Sequence, residues 1–584
     1  MRHQGSSQIR RWAVRGTVAV VAASAGIHAA ENLLGGEGGN TMSTGDLAVG
    51  GSTSTDTDPL DLIHKVTGLT PVELVGLLVV LLVVLVGSSV LLPRYTRAPG
   101  FATNTDLRRN MSERTARLSA AKTRPSLTKR ELRKAHWGEY GIRMGRSNRN
   151  RFRTVFGTFE ETILITGPTG SYKSVFLAGT VMDAPGAVAM TTTKVEDVEA
   201  TIRVRAMYDR PVYVFNPYEL GDELTENSFH WSPVLGCQDE RTAMSRAAYM
   251  LYGARSGSSA GGELNNFFQS TACEVLRAYL MAADLAGLDM RDVYRWTTDA
   301  DDDEALKILR KYGARGDWIE VLEQRQSTTD RTRDGIFTTL STALSWMADP
   351  VIAAAVCPEE PHESFNVAQF IRNRGALYLL AEHRLQSSVA PLFTMIMGHL
   401  VEEAKLFASK TEGRRLDPSL FLILDEAANI CPVPLTNYYS ENRGHGIVTI
   451  AAIQSRSQLA EMWGTNGAKT IWNNAAWTLI LAGIKDGDDL EAVSKMLGTY
   501  ERPKTNRQHG PNGVTVTHTT EDRPVMPPAR VRQLPKRQIL AIHRGSPPVL
   551  VTVSKSWKRK DVRAAGKAAA AANKRLKKAA ASNA

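Results

Sequence analysis

Residues 163–174 read ILITGPTGSYKS, an apolar run that leads directly into a polar loop containing two glycines. The run at 163–166 is too short for a helix and predicts a buried strand. The loop consists of Gly167, Pro168, Thr169, Gly170, Ser171, Tyr172, Lys173 and Ser174. It matches the phosphate-binding pattern GxxxxGK followed by Ser or Thr at every fixed position but one. The stretch therefore predicts a strand, a phosphate loop and a helix, the opening unit of an α/β nucleotide-binding fold.

The residue types in this loop predict ATP and Mg²⁺ as cofactors. Backbone N–H groups of the loop would surround the phosphates, Lys173 would reach the β- and γ-phosphates, and the Ser174 hydroxyl would bind Mg²⁺. Tyr172 stands where the pattern has glycine. We expect it to fit there only if its φ stays below zero, so it leaves the rate of ATP turnover open. The alternative for the whole loop is an ordinary Gly/Pro/Ser turn.

A second motif supports the nucleotide interpretation. Residues 420–426 read LFLILDE, a buried strand that ends in two adjacent carboxylates. In P-loop hydrolases the first acid, here Asp425, holds Mg²⁺, and the second, here Glu426, polarises the attacking water. Taken alone, the two acids could simply mark a strand end that meets solvent. Both motifs in one chain predict a phosphate-cleaving site.

A third segment places two further polar residues near such a site. Residues 441–447 read ENRGHGI, and the apolar strand 448–453 follows and ends at Gln454. An amide at a strand tip beside the phosphate loop can orient the γ-phosphate and water, and Arg443 could act across a subunit boundary as an arginine finger does. The alternatives are a hydrogen-bonded strand-end amide for Gln454 and a surface cation for Arg443.

Charge and apolar runs divide the chain from its N-terminus onwards. Residues 1–15 are basic, 16–30 are uncharged and rich in Ala and Val, and 31–73 form a Gly/Ser/Thr-rich, net acidic loop. Residues 74–92 are uncharged and mostly Leu and Val, and as a helix of about 28 Å they would cross a bilayer. The run at 16–30 predicts either a first span or the apolar part of a signal peptide. Arginines flank the two runs on their outer sides, which predicts a multi-pass protein of the inner (plasma) membrane with a cytoplasmic ATPase.

The remaining residues predict an acidic catalytic body between two basic arms. Residues 94–153 hold 17 Lys and Arg against 4 Asp and Glu, and 555–584 hold 10 against 1, whereas 154–554 hold 39 against 48. We interpret 93–153 as a polybasic juxtamembrane linker that lies on anionic headgroups or guides nucleic acid, with a solvated face as the alternative. The Ala/Lys-rich tail, 555–584, is expected to be disordered or weakly helical and to suit phosphate contact without sequence reading.

Apolar runs that alternate with helical stretches predict the fold of the body. The predicted strands are 162–166, 187–190, 212–215, 377–380, 420–424, 448–453, 477–482 and 549–553. This alternation favours a mostly parallel sheet covered on both faces. The fold class is thus a P-loop NTPase with a two-span N-terminal membrane anchor. Its nucleotide-binding domain comprises 154–235 and 351–554, and an all-α subdomain is inserted at 236–350, where strand character is scarce.

These motifs resemble the coupling proteins of conjugative type IV secretion systems, the TraG/TraD class within the FtsK/HerA translocase superfamily. The resemblance covers roughly 150–554 and the two-span N-terminus. It rests on six segments: GPTGSYKS (167–174), FNPYEL (215–220), HWSPVL (230–235), LILDEAANI (422–430), SENRGHGIVTIAAIQSRSQL (440–459) and ARVRQLPKRQILAIHRGSPPVLV (529–551). It implies a membrane-anchored homo-hexameric ATPase that passes relaxase-bound single-stranded DNA, or protein, to the components of a secretion channel. The alternatives are an ATPase receptor for protein substrates and a non-hydrolysing, ATP-gated docking ring.

The predicted topology can be checked with reporters. Because the arginines on both sides of the hairpin favour the cytoplasm, a reporter fused after Arg109 should behave as cytoplasmic, and one inserted near Ser54 should behave as external. Protease added to intact cells should cut only within 31–73. Cleavage inside 154–554 in intact cells would contradict the orientation.

Overall fold

The computed structural model describes residues 99–571, with gaps at 151, 222, 256–262, 315, 360–364, 382–385, 511–512 and 569. The predictions for 1–15, 16–30, 31–73 and 74–92 therefore fall outside the described residues. Within the described part, no helix combines the length and the apolar character needed to span a bilayer.

The described residues form thirteen strands, eleven of which belong to one sheet. The strands are β1 Ile142–Ser147, β2 Thr154–Gly157, β3 Ile163–Thr166, β4 Val188–Thr192, β5 Val212–Phe215, β6 Ala376–Leu380, β7 Leu420–Leu424, β8 Ile447–Ile453, β9 Trp477–Leu481, β10 Thr499–Gly510, β11 Gly513–Pro524, β12 Gln538–His543 and β13 Ser546–Thr552. The order in the large sheet is β2-β1-β13-β12-β9-β3-β8-β7-β4-β6-β5, and β10 pairs with β11 in a separate ribbon.

Seven neighbouring strands, from β9 to β5 in that order, are parallel. Strands β3, β4, β6, β7, β8 and β9 are buried along their whole length, which explains why they appear in the sequence as continuous apolar runs. All eight predicted strands are present. The last one, β13, is antiparallel to its neighbours, and so are β12, β1 and β2. The sheet is therefore parallel on one side and antiparallel on the other.

Apart from a helical stretch at 560–568 in the tail, the following α-helices surround the sheet or lie between its strands. They are α1 Asn104–Asn110, α2 Glu113–Thr123, α3 Lys129–Lys134, α4 Lys173–Asp183, α5 Val195–Ala206, α6 Glu240–Gly253, α7 Glu263–Ala286, α8 Met290–Thr298, α9 Glu304–Lys311, α10 Gly316–Gln326, α11 Asp330–Ala343, α12 Pro350–Val356, α13 Val367–Arg372, α14 Gln386–Ser409, α15 Ala427–Ile430, α16 Leu435–Glu441, α17 Arg456–Asn474, α18 Gly487–Leu497 and α19 Pro528–Arg532.

The helical insertion lies between β5 and β6, as the scarcity of strand character predicts, and it contains α6 to α13. Its core is continuous with one face of the sheet, since Trp296 and Leu322 of the insertion belong to the same buried cluster as Leu164 and Leu422 of the strands. The inserted all-α subdomain predicted at 236–350 lies within this insertion. The insertion is helical, but it shares its apolar core with the nucleotide-binding fold.

Residues 99–153 are not a linker. They form α1, α2 and α3, and they contribute β1 to the large sheet. Capping boxes start two of these helices, with Thr103 and Asp106 bonded reciprocally in one and Thr128 and Glu131 in the other. The prediction of a polybasic linker at 93–153 is therefore wrong for its described part. The many basic residues suggested a solvated segment, but the segment also contains helix-capping residues, and some of its cations pack within the fold.

Arg124 is the clearest case of a cation inside this segment. It is 1% exposed, and its Nε donates to Asp417 Oδ1 at 2.6 Å while its Nη1 pairs with Glu139. Asp417 lies in the turn before β7. The ion pair therefore joins the N-terminal helices to the strand that carries the two predicted acids.

The start of the C-terminal tail is ordered, and residues 560–568 are helical, which matches the helical alternative expected for 555–584. A 3-10 turn covers Ser556–Lys558, and Arg559 Nη2 donates to Asp183 Oδ1 of α4 at 2.7 Å. Ala565 is buried against Ala178 of the same helix. The tail thus begins as a strap on the helix that follows the phosphate loop, and 569 and 572–584 lie outside the described residues.

Replacing Arg124 by alanine should destabilise the protein by about 3–5 kcal/mol, because two carboxylates would lose their buried partner. The matched control is Lys307→Ala. Lys307 pairs with Asp303 at 2.6 Å, but both side chains are more than half exposed, so the loss should be below about 1 kcal/mol. Thermal unfolding of the two variants measures the contrast. Equal melting temperatures would contradict the structural role of Arg124.

Candidate nucleotide-binding site

The candidate site lies at the carboxyl edge of the parallel strands. Strands β3, β8, β7 and β4 are consecutive in the sheet, so the segments that follow them meet at one edge. The phosphate loop follows β3, Gln454 follows β8, Asp425 and Glu426 follow β7, and Lys194 follows β4 two residues later. Open α/β sheets bind ligands at this edge.

The phosphate loop is closely packed against its neighbours. The Gly167 N–H donates to the Ile453 carbonyl at 3.2 Å, and a Cβ on Gly167 would lie 2.7 Å from Leu481 Cβ on β9. Gly170 has a φ of +76°, which glycine adopts without strain. The buried Ser171 Oγ has no hydrogen-bond partner within the described residues. The loop is thus a tight cradle with one free buried hydroxyl.

Tyr172 does not keep its φ below zero, and that expectation was wrong. Its φ is 72° and its ψ is 18°, the left-handed conformation that glycine has in the pattern. The loop imposes this conformation, since Tyr172 is the N-cap residue of α4. Such a conformation costs a residue with a Cβ about 1–2 kcal/mol. The tyrosine ring faces Trp557 of the C-terminal strap, with ring centroids 6.4 Å apart and planes inclined by 28°.

Lys173 meets both predicted acids. Its side chain is 4% exposed, and its Nζ lies 2.8 Å from Glu426 Oε1 and 3.3 Å from Asp425 Oδ1. The first turn of α4 supplies the lysine, and the end of β7 supplies the carboxylates. The residues that the sequence analysis drew from two distant motifs therefore form one buried charge cluster.

The pKa values of the two adjacent carboxylates are shifted in opposite directions. Burial raises the pKa of Asp425 above its usual value, and the nearby Lys173 only partly offsets this. Burial also acts to raise the pKa of Glu426, but Lys173 and a hydrogen bond from Gln454 outweigh it, and the net pKa lies below the usual value. Glu426 is therefore held as a carboxylate at neutral pH, the form that can accept a proton.

A network of amides fixes Glu426 from the other side. Gln454 Nε2 donates to Glu426 Oε2 at 2.7 Å, and the Gln454 N–H donates to Gln458 Oε1 at 2.9 Å. Gln458 Nε2 in turn donates to Asn429 Oδ1 at 2.9 Å. Gln454 is thus positioned as predicted, next to the candidate base. Asn429 and Gln458, which the sequence analysis did not single out, complete its support.

Lys194 and Asp197 are two further residues that the sequence analysis missed. Lys194 Nζ donates to Ser174 Oγ at 2.8 Å. Burial raises the pKa of Asp197 to about 6, and Lys194 and a hydrogen bond from Ser174 act against this shift. Only part of the signal is in the sequence, because the order of the strands in the sheet is not. Lys194 follows the apolar run 187–190 as Asp425 follows 420–424, and consecutive parallel strands end at the same edge.

Arg443 is not part of this cluster. It lies in a 3-10 turn, Asn442–His445, which precedes β8, and its side chain is exposed. It therefore lies at the amino edge of the sheet, the length of β8 away from its own phosphate loop. Its predicted role across a subunit boundary stays a prediction.

A phosphate loop and an acidic strand tip that meet at the carboxyl edge of a mostly parallel sheet define a P-loop NTPase fold. The sequence also matches the family model described as Type IV secretory system Conjugative DNA transfer over residues 109–579. The chain belongs to this family, and the resemblance inferred from its motifs is confirmed.

The similar proteins agree with this assignment. The conjugal transfer protein TraG of Rhizobium radiobacter is 22% identical over 358 residues, or 59% of this chain and 54% of that protein. The TraG of Agrobacterium fabrum strain C58 is 21% identical over 415 residues, or 69% of this chain and 61% of that protein. This chain thus spans little more than half of the length of these relatives.

Solved structures show the same fold at low identity. The unbound monoclinic form of the bacterial conjugative coupling protein TrwBdeltaN70 has a TM-score of 0.50 and 19% identity, covering 69% of this chain and 87% of that one. The plasmid coupling protein TrwB in complex with the non-hydrolysable ATP analogue ADPNP also has a TM-score of 0.50, with 18% identity, covering 68% of this chain and 86% of that one.

Because Tyr172 has a left-handed conformation, we expect a glycine variant at this position to be more stable than an alanine variant. Tyr172→Gly should be more stable than Tyr172→Ala by about 0.5–1 kcal/mol, because relief of the strain exceeds the entropy that glycine loses on folding. At the exposed Tyr208, whose φ is not positive, alanine should instead be the better replacement. Chemical denaturation of the four variants gives both differences. An alanine variant as stable as the glycine variant at 172 would contradict the loop conformation.

Proposed function

We propose that this protein is a membrane-anchored ATPase that uses ATP hydrolysis to move single-stranded DNA or nucleoprotein to a type IV secretion channel. The buried cluster of Lys173, Asp425 and Glu426, with Gln454 bonded to the second acid, carries the proposal. Membership in the conjugative DNA transfer family supports the DNA cargo. TrwB, a protein of the same fold, has been obtained with an ATP analogue.

The residues of the site fit ATP and Mg²⁺. The cradle at Gly167 is too close to Leu481 for a side chain, and the buried hydroxyl of Ser171 is free to donate to a phosphate. The Ser174 hydroxyl and the Asp425 carboxylate are hard oxygen donors, the type that Mg²⁺ prefers. When bound, Mg²⁺ would neutralise charge on the phosphates and orient them.

We expect the two lysines of the site to exchange their protein partners for phosphate oxygens when ATP binds. Lys173 and Lys194 now hold Glu426 and Ser174 respectively. A triphosphate in the loop offers both ammonium groups a stronger anionic partner, so we expect both lysines to turn to phosphate oxygens. Glu426 is then released from its ion pair and remains bonded to Gln454. A carboxylate fixed in this way can accept the proton of an attacking water.

Assembly and location extend the proposal to the whole protein. We propose a homo-hexamer in the membrane, with the spans at 16–30 and 74–92 and the ATPase on the cytoplasmic side, that binds a relaxase–DNA complex and the secretion channel. The position of Arg443 supports a ring. It lies exposed at the edge opposite its own nucleotide site, from which it can act only on another copy.

The non-hydrolysing docking ring is the main competing function, and mutation of Glu426 separates the two. Lys173→Ala should abolish ATP turnover, because it removes a phosphate contact. Glu426→Gln should keep ATP binding and lower hydrolysis by at least about a hundredfold, as expected for loss of a general base. Glu412→Gln, at an exposed glutamate in a surface turn, is the control and should hydrolyse ATP normally.

Phosphate release by the full-length protein, with and without single-stranded DNA, measures these outcomes. Stimulation by DNA supports a DNA motor. Wild-type turnover in the Glu426→Gln variant would show that Glu426 is not the base. A wild-type protein that binds ATP without releasing phosphate would replace the proposed function with the docking ring.

A further inference from the structure

Two aromatic rings lie beside the phosphate loop, and the nucleotide chemistry discussed above uses neither of them. Tyr172 directly precedes Lys173 and is half-buried, and Trp557 is 49% exposed. Their ring centroids are 6.4 Å apart, and their planes are inclined by 28°. The two faces are thus close to parallel, and at least part of the Trp557 surface is open to solvent.

Several contacts hold Trp557 in this position. Two residues beyond it, the Arg559 guanidinium donates to Asp183 at the end of α4 at 2.7 Å and to Asp561 at 2.6 Å. Ala565 then packs on Ala178 of the same helix. The strap is therefore anchored to the helix that starts at the phosphate loop, and this places Trp557 beside the loop.

Tyr172 is difficult to explain by folding alone. Glycine would adopt its φ of 72° without strain. A tyrosine at this position is strained. The ring contact that it makes is with Trp557, whose side chain is half exposed. A residue that is unfavourable for local structure and sits in a binding loop points to a contact with ligand.

We propose that Tyr172 and Trp557 form the binding site for the base of the nucleotide, which stacks against this aromatic pair while its phosphates occupy the loop. Trp557 is 49% exposed, so its ring offers an open face beside the loop on which a base can stack. The flat faces bind a base by stacking, whichever base it is. This inference rests on the proposed nucleotide-binding function.

The test separates the base from the phosphates. Calorimetry of the full-length protein should be carried out with ADPNP and with inorganic tripolyphosphate, which has no base. Base–aromatic stacking predicts that Trp557→Ala binds ADPNP about tenfold or more weakly. Its affinity for tripolyphosphate should equal that of the wild type. Trp557→Phe and Tyr172→Phe keep a flat ring and should bind ADPNP within about threefold of the wild type.

Tyr312→Ala is the matched control, because Tyr312 is 48% exposed and lies in the helical insertion; it should bind both ligands normally. Unchanged ADPNP affinity in Trp557→Ala would overturn the inference. An equal loss of both ligands would also overturn it, since Trp557 would then only support the loop. A wild-type protein that binds neither ligand would instead refute the proposed function itself.

Discussion

The pairing of a buried lysine with two adjacent carboxylates is the constraint on which the rest of the site depends. An unpaired ammonium group at the position of Lys173, which is 4% exposed, would carry a large desolvation penalty. Asp425 and Glu426 offset that penalty, and Lys173 offsets part of the penalty for burying the two carboxylates. Because each partner belongs to a different segment, the pairing fixes the first turn of α4 against the end of β7. In the proposed function, a triphosphate replaces the carboxylates as the partner of the lysine.

Backbone strain is concentrated around this cluster. Tyr172 and Glu426 both have positive φ values, 72° and 52°, and each immediately precedes a helix. Tyr172 directly precedes Lys173 in the chain, and Glu426 is one of the two carboxylates paired with Lys173. Such strain persists only where the surrounding structure over-determines the backbone. Here the tight packing of Gly167 on β9 and the amide network from Gln454 to Asn429 provide that support. The strain is therefore part of how the site is held in shape.

The parts that surround the site are joined to it more closely than their composition suggests. Arg124 connects the basic N-terminal helices to the turn before β7, and Arg559 connects the basic tail to α4. The helical insertion shares its apolar core with the sheet. The N-terminal helices, the tail and the insertion are thus connected to the nucleotide site through buried contacts. The proposed ATP-driven motor needs such connections, since a change at the phosphates must reach a distant surface.

The sequence by itself determined the parallel strands and the main residues of the site. Strands β5 and β7 were predicted to the residue, because each is an unbroken apolar run, and the phosphate loop and the acidic pair are local patterns. The tertiary structure decided the rest. The β10–β11 ribbon and β1 carry polar or charged residues and are strands only because a partner pairs with them. Lys194 belongs to the site because the sheet order places β4 beside β7. Tyr172 has its left-handed conformation because the closed loop leaves no other, and neither fact is local to its own stretch of sequence.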